Sequence, residues 1–160
     1  MTLRLLPIYA LLCLALFSCS KPVKSFCFKE LDPEYGLNSA VTFSLEINDT
    51  IDPQQMDLSA RLYDYNDDEN GEIPLILQIT SPSGAMGCDT LCLLFGKRSA
   101  DESIIRNNGH ITINRTYRKN IIIRESGVWN FSISPYKEKD NNHIFKKITG
   151  LGIFFKKEER

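Results

Sequence analysis

From Val41 onward the chain alternates between apolar and polar positions. Val41, Phe43, Leu45 and Ile47 are separated by Thr42, Ser44 and Glu46, and a period of two puts the apolar set on one face of an extended strand. Met56, Leu58, Ala60 and Leu62 repeat the pattern against Asp57, Ser59, Arg61 and Tyr63. Ile73-Pro74-Leu75-Ile76-Leu77-Gln78-Ile79 predicts a third strand, with Pro74 tolerable close to its start. Leu91, Leu93 and Phe95 predict a fourth. Ile111 with Ile113, then Ile121 to Ile123, then Trp129 with Phe131 and Ile133, and finally Leu151 with Ile153 and Phe155 supply four more. The breaks carry turn chemistry: Asn70-Gly71, Pro82-Ser83-Gly84, Asn107-Asn108-Gly109, Ser126-Gly127 and Asp140-Asn141-Asn142. Residues 97–106 ("KRSADESIIR") are expected to hold a helical turn and nothing longer. About eight short strands without a sustained helical period predict an all-β fold. The expected form is a single antiparallel β-sandwich, immunoglobulin-like or jelly-roll-like.

The first residues follow a different rule. One basic residue, Arg4, precedes an uncharged apolar run from Leu5 to Phe17. That run is shorter than the about 20 residues needed to span a bilayer core, and it suits the apolar middle of a secretory signal. It ends in Leu16-Phe17-Ser18-Cys19, followed by the polar Ser20-Lys21-Pro22, and this resembles the lipobox of bacterial lipoproteins. The resemblance implies cleavage before Cys19 and acylation of its thiol and amine, with palmitate among the chains. Residues 1–18 are then a signal peptide, and 19–36 a lipidated N-terminus and tether interrupted by Pro22, Pro33 and Gly36. Residues 37–160 form the sandwich domain. One acyl chain binds a membrane only reversibly, whereas several together hold essentially for good.

Loss of residues 1–18 removes Arg4, so 19 basic residues become 18 against 20 acidic ones and the formal charge moves from −1 to −2. No concentrated basic face marks a nucleic-acid partner. Of five cysteines, Cys13 leaves with the signal and Cys19 carries lipid, which leaves Cys27, Cys88 and Cys92. Cys88 and Cys92 cannot pair within one extended strand, since four residues span roughly 13 Å and a disulfide needs Cα atoms within about 7 Å. A bridge would run from Cys27 to one of them. The alternative is three small buried thiols.

Catalytic chemistry needs a cluster, and the chain offers few parts for one. His110 follows the Asn-Asn-Gly turn, and His143 sits in a polar segment. Cys88, Cys92 and His110 match no zinc spacing and lack a fourth ligand. Nucleophile-elbow, phosphate-loop and metalloprotease motifs are absent. The stretch "NDDENGEI", Asn66 to Ile73, follows the first half of a calcium loop, but its twelfth position is Leu77 where a bidentate Glu is required. An acidic hairpin tip is the expectation there. No catalytic residue, metal site or cofactor is therefore expected. Alternation places Trp129 on the core face of its strand. Tyr63, Tyr65, Tyr117 and Tyr136 are freer, but sequence does not assemble them into a sugar platform.

The order of segments resembles the gliding-motility-associated lipoprotein H family. It is carried by the lipobox, "VTFSLEINDT" at 41–50, "IPLILQITSPSG" at 73–84, "DTL" at 89–91, "ESGVWNFSI" at 125–133 and "GLGIFF" at 150–155. The resemblance implies a non-enzymatic envelope lipoprotein of the gliding machinery, associated with protein secretion across the outer membrane. Its implied partners are the membrane, through the lipid on Cys19, and other envelope proteins of that machinery. Surface-exported lipoproteins of such bacteria carry acidic residues just after the lipidated cysteine. Lys21 and Lys24 stand here instead, with no acid before Glu30, so the implied place is the periplasmic side of the outer membrane. The alternative expectation is a glycan-binding or nutrient-uptake outer-membrane lipoprotein.

Overall fold

The computed structural model describes residues 26–63, 71–95, 102–107, 109–136 and 142–158. They form β1 (Phe26–Glu30), β2 (Val41–Ile47), β3 (Gln54–Tyr63), β4 (Gly71–Thr80), β5 (Met86–Phe95), β6 (Glu102–Asn107), β7 (His110–Ile121), β8 (Gly127–Pro135), α1 (Asn142–Lys146) and β9 (Ile148–Lys157). One sheet has the order β1-β9-β3-β7-β6 and the other β2-β8-β4-β5, and every pairing is antiparallel. The pairs are nested: β4 with β5, β3 with β7, β2 with β8 and β1 with β9. This is one long hairpin rolled into two facing sheets, the jelly-roll order, with β6 added at an outer edge.

The period-two pattern becomes the core. Phe43, Leu45 and Ile47 of β2, Met56, Leu58 and Leu62 of β3, Leu75 and Leu77 of β4, and Phe131 and Ile133 of β8 are buried between the sheets. Leu151, Ile153 and Phe155 of β9, the neighbour of β3 in its sheet, are buried with them. Pro74 lies inside β4, a central strand, where a missing N–H normally breaks the ladder. It is tolerated because β8 ends at Pro135 opposite Leu75, so Pro74 sits just past that pairing and its carbonyl accepts from the Tyr136 N–H at 3.0 Å.

Several expectations change. The segment assigned to the tether supplies β1, which pairs with β9 from Phe26↔Phe154 to Glu30↔Gly150. Only five residues with two polar ones between apolar neighbours left little period to read, and β9 does the selecting. The ring of Phe28 lies over Gly150 and Gly152, where any Cβ would approach ring atoms to 2.5 and 2.7 Å. The helical turn expected in 97–106 is replaced, over its described part, by strand β6, zipped to β7 from Glu102↔Arg115 to Asn107↔His110. Residues 97–101 lie outside the described residues. Ile121 closes β7 instead of opening a new strand, and Ile122 and Ile123 belong to the following loop. The short helix α1 was not expected, and it buries Ile144 and Phe145 beneath Leu37 at one end of the core.

On the outer face of the five-stranded sheet, Asp57 accepts from Gln55 Nε2 at 2.6 Å and lies 2.8 Å from Lys156 Nζ. Burial pushes its carboxyl up, but the bonds from Gln55, Lys156 and Thr116 outweigh it and hold the pKa below the ordinary value. The folded state therefore binds fewer protons than the unfolded chain near pH 4. This stabilisation is complete above the unfolded carboxylate value of about 4 and is lost as pH falls through the lower folded one. Asp57→Asn is expected to flatten the fall of Tm with acidification below about pH 4. Melting curves at stepped pH read this directly, and an unchanged slope would refute it.

Candidate functional site

The residue types that carry chemistry end up apart. His110 opens β7 opposite Tyr63, with ring centroids 5.0 Å apart, and its buried Nδ1 has no hydrogen-bond partner. His143 is exposed on α1. Cys88 and Cys92 lie on β5 in the other sheet, and Cys92 Sγ is 3.7 Å from Glu72 Oε2. Among the described residues no group of three or more His, Cys, Asp or Glu side chains is placed to hold a metal. Cys27 belongs to β1, which borders β2, whereas β5 borders β7 across the sandwich. A bridge from Cys27 to either β5 cysteine is therefore excluded by topology, and all three are thiols. Cys19 and the acidic tip at 66–70 lie outside the described residues.

Two concavities are lined by described residues. They sit at opposite ends of the roll. The upper end carries loops 48–53, 81–85 and 122–126, and the lower end carries residues 31–40, the 107–110 turn and α1. The lower concavity measures about 390 Å³ and is a depression lined by Glu30, Leu31, Pro33, Arg61, Tyr63, His110 and Thr149. Glu30 and Arg61 form an ion pair at 3.2 Å, and the Arg61 guanidinium stands 4.8 Å over the Phe28 ring. Tyr63 is 54 % exposed. An exposed aromatic plane beside a charged donor and acceptor is able to stack on an apolar ring face and hydrogen-bond its polar rim. β3 places Arg61 and Tyr63 two residues apart on one face, and β7 brings His110 beside them.

The upper concavity is an apolar cleft of about 280 Å³ between the sheets, with Met56, Ile79, Ile121, Trp129 and Phe131 among its walls and Arg118 and Arg124 in its lining. Trp129 faces the core as its alternation requires, and its Nε1–H donates to the Glu125 carbonyl at 3.0 Å. The cleft opens where β7 is bulged: two register shifts against β3 fall between Gln54 and Asp57, and Asn120 takes a φ of 56°.

Open edges are where sandwiches recruit or repel other strands. β1 carries the exposed Lys29, its Nζ 5.7 Å from the centre of the Phe43 ring, a charge that discourages a further strand. β5 is laced to β7 instead. Arg115 donates to the Cys92 carbonyl, and the Tyr117 hydroxyl donates to Asp89 Oδ2 at 2.9 Å. Chiefly through that bond, with Thr90 N–H and Arg118 assisting, the Asp89 carboxyl is held below its ordinary range. Burial, and then the Asp89 carboxylate, raise the Tyr117 phenol. Met86, Gly87 and Cys88 extend beyond this lacing and are exposed.

Of the four tyrosines named from sequence, only Tyr63 joins a concave polar site; Tyr117 is tied to Asp89, Tyr136 stands at the lower end of β8, and Tyr65 lies outside the described residues. The meeting of Arg61 with Glu30 carried no sequence signal, because their strands, β3 and β1, are not consecutive in the chain and are joined only through β9. Comparison with protein-family models, with curated proteins and with solved structures found no match to this chain.

Proposed function

We propose that the protein is a non-enzymatic, lipid-anchored envelope component, held on the outer membrane through Cys19 with its domain in the periplasm. Its task is assembly with other envelope proteins, as the resemblance to the gliding-motility-associated lipoprotein H family implies. The observation that carries this reading is where the fold starts. β1 begins at Phe26 and pairs with β9, so every strand of the two sheets among the described residues lies after Cys19. Six residues separate Cys19 from Phe26, a span of roughly 25 Å when fully extended. The tether is thus about a third of what a boundary at residue 36 suggested. Any partner must meet the domain close to the membrane, through loops at one end or an exposed strand edge.

Protease added to intact cells is expected to leave the domain whole, and the same protease to degrade it once the outer membrane is permeabilised. Digestion in intact cells would reverse the orientation. It would also favour the second reading, a glycan-binding lipoprotein, which rests on the lower depression with Tyr63 exposed beside Arg61, Glu30 and His110.

A further inference from the structure

Exposed apolar side chains are unevenly distributed over the roll. Among the described residues, nine large hydrophobic side chains are exposed. Five belong to the upper end or lean toward it: Ile51 in the β2–β3 loop, Met86 at the start of β5, Ile122 after β7, Val128 at the start of β8, and Phe26. These five are between 51 and 83 % exposed, and none has a polar atom that water could satisfy. Three of the other four are tyrosines (Tyr35, Tyr63 and Tyr136), whose hydroxyls suit an aqueous face. Strand direction adds an independent constraint. β1 runs from the upper end downward, with Phe26 beside Phe154, three residues short of the end of β9 at Lys157.

We infer that the upper end rests on the lipid surface of the membrane that holds the anchor, with Ile51, Ile122, Val128 and Met86 in the interfacial layer and the lower depression turned away from it. The inference rests on the reading of Cys19 as the anchor. The occupant is lipid because the chain enters the fold heading away from this end, on a leader of six residues after Cys19, so no other surface of the roll is as close to the bilayer. Scattered exposed apolar residues, such as Ile105 on β6, mean little singly, but a group gathered at one end marks a contact surface. Charge does not drive the contact: Lys156, Lys157 and Arg124 are offset by Asp49, Asp52 and Glu125. Uncharged lipid is therefore sufficient, and salt has little effect.

Trp129 is the only tryptophan and serves as a constant background. Full-length protein, purified with its lipid, is reconstituted into phosphatidylcholine vesicles brominated high on the acyl chain, as Ile51→Trp, Ile122→Trp and Tyr136→Trp variants. All three positions are exposed, and two upper reporters guard against one that misfolds. The expected result is loss of most of the added emission from the two upper variants and none from Tyr136→Trp. Flotation of the vesicles is measured in the same samples. Protein that floats with all three reporters equally bright, or with Tyr136→Trp quenched most, overturns the docking while leaving the anchor intact. Protein that fails to float removes the anchor, and the docking with it.

Discussion

Replacing Cys19 with serine is expected to leave the protein without lipid and to move it from the membrane fraction into the soluble one. The effect should be all or none, because each acyl methylene buried in the bilayer contributes about 0.8 kcal/mol and several chains together make release negligible. Nothing among the described residues is placed to compensate. Among the described residues no helix is long and apolar enough to cross a membrane. The exposed apolar residues of the upper end are too few to hold the domain without the chains. Metabolic labelling with a radioactive fatty acid, followed by fractionation, reads both consequences. Undiminished label in Cys19→Ser would refute the lipobox reading outright. Lost label with the protein still on the membrane would leave that reading standing and show that the upper end binds more tightly than argued above. The roll itself should be unaffected, since β1 begins seven residues later and pairs through Phe26 to Glu30.

The sandwich was legible in the sequence because its core strands are half buried. Val41 to Ile47 reads as one apolar face, and β2 has those same limits. The alternation of Met56 to Leu62 and of Trp129 to Ile133 likewise points inward. What failed to show was whatever depends on a partner strand. β1 and β6 are edge strands with five and six residues, and their extended state is imposed by β9 and β7 through backbone pairing that is blind to side-chain pattern. The partner of β1 lies at the far end of the chain, as nested pairing requires, whereas that of β6 is the next strand. The lower depression was hidden for the same reason. Arg61 and Tyr63 share a face of β3 and were visible as a pair, but Glu30 and His110 reach them only after the roll closes. The two glycines of "GLGIFF" had an opposite fate. They were visible as a motif, yet their cause, the Phe28 ring lying across both, belongs to a segment that read as tether.

A glycine in that same segment carries the second large effect. Gly36→Ala is expected to destabilise the domain severely, and far more than Gly84→Ala. Gly36 has a φ of +59°, a left-handed conformation that costs a residue with a Cβ about 1–2 kcal/mol. Gly84 shares that cost with a φ of +87°, but nothing lies within 4 Å of the Cβ it would gain. At Gly36 the new atom would stand 2.3 Å from the Phe145 carbonyl oxygen and 2.6 Å from the Lys146 Cα, both backbone atoms of α1 that cannot swing aside. The clash adds roughly 1–3 kcal/mol, the usual cost of overpacking, and its relief would separate loop 31–40 from the helix. Two bonds would go with it, from the Leu37 N–H to the Phe145 carbonyl at 2.8 Å and from the Gly36 N–H to the Asp32 carbonyl at 2.8 Å. Leu37, only 1 % exposed, would lose its cover over the lower end of the core. A total near 3–4 kcal/mol corresponds to a fall of about 10 °C or more in Tm for a domain of this size, against about 5 °C for Gly84→Ala. Thermal melts of the two variants beside Gly87→Ala, where the added Cβ meets nothing and φ is ordinary, separate backbone strain from crowding. Equal losses at Gly36 and Gly84 would mean that α1 does not press on this loop, and that the lower end is closed by something other than Leu37.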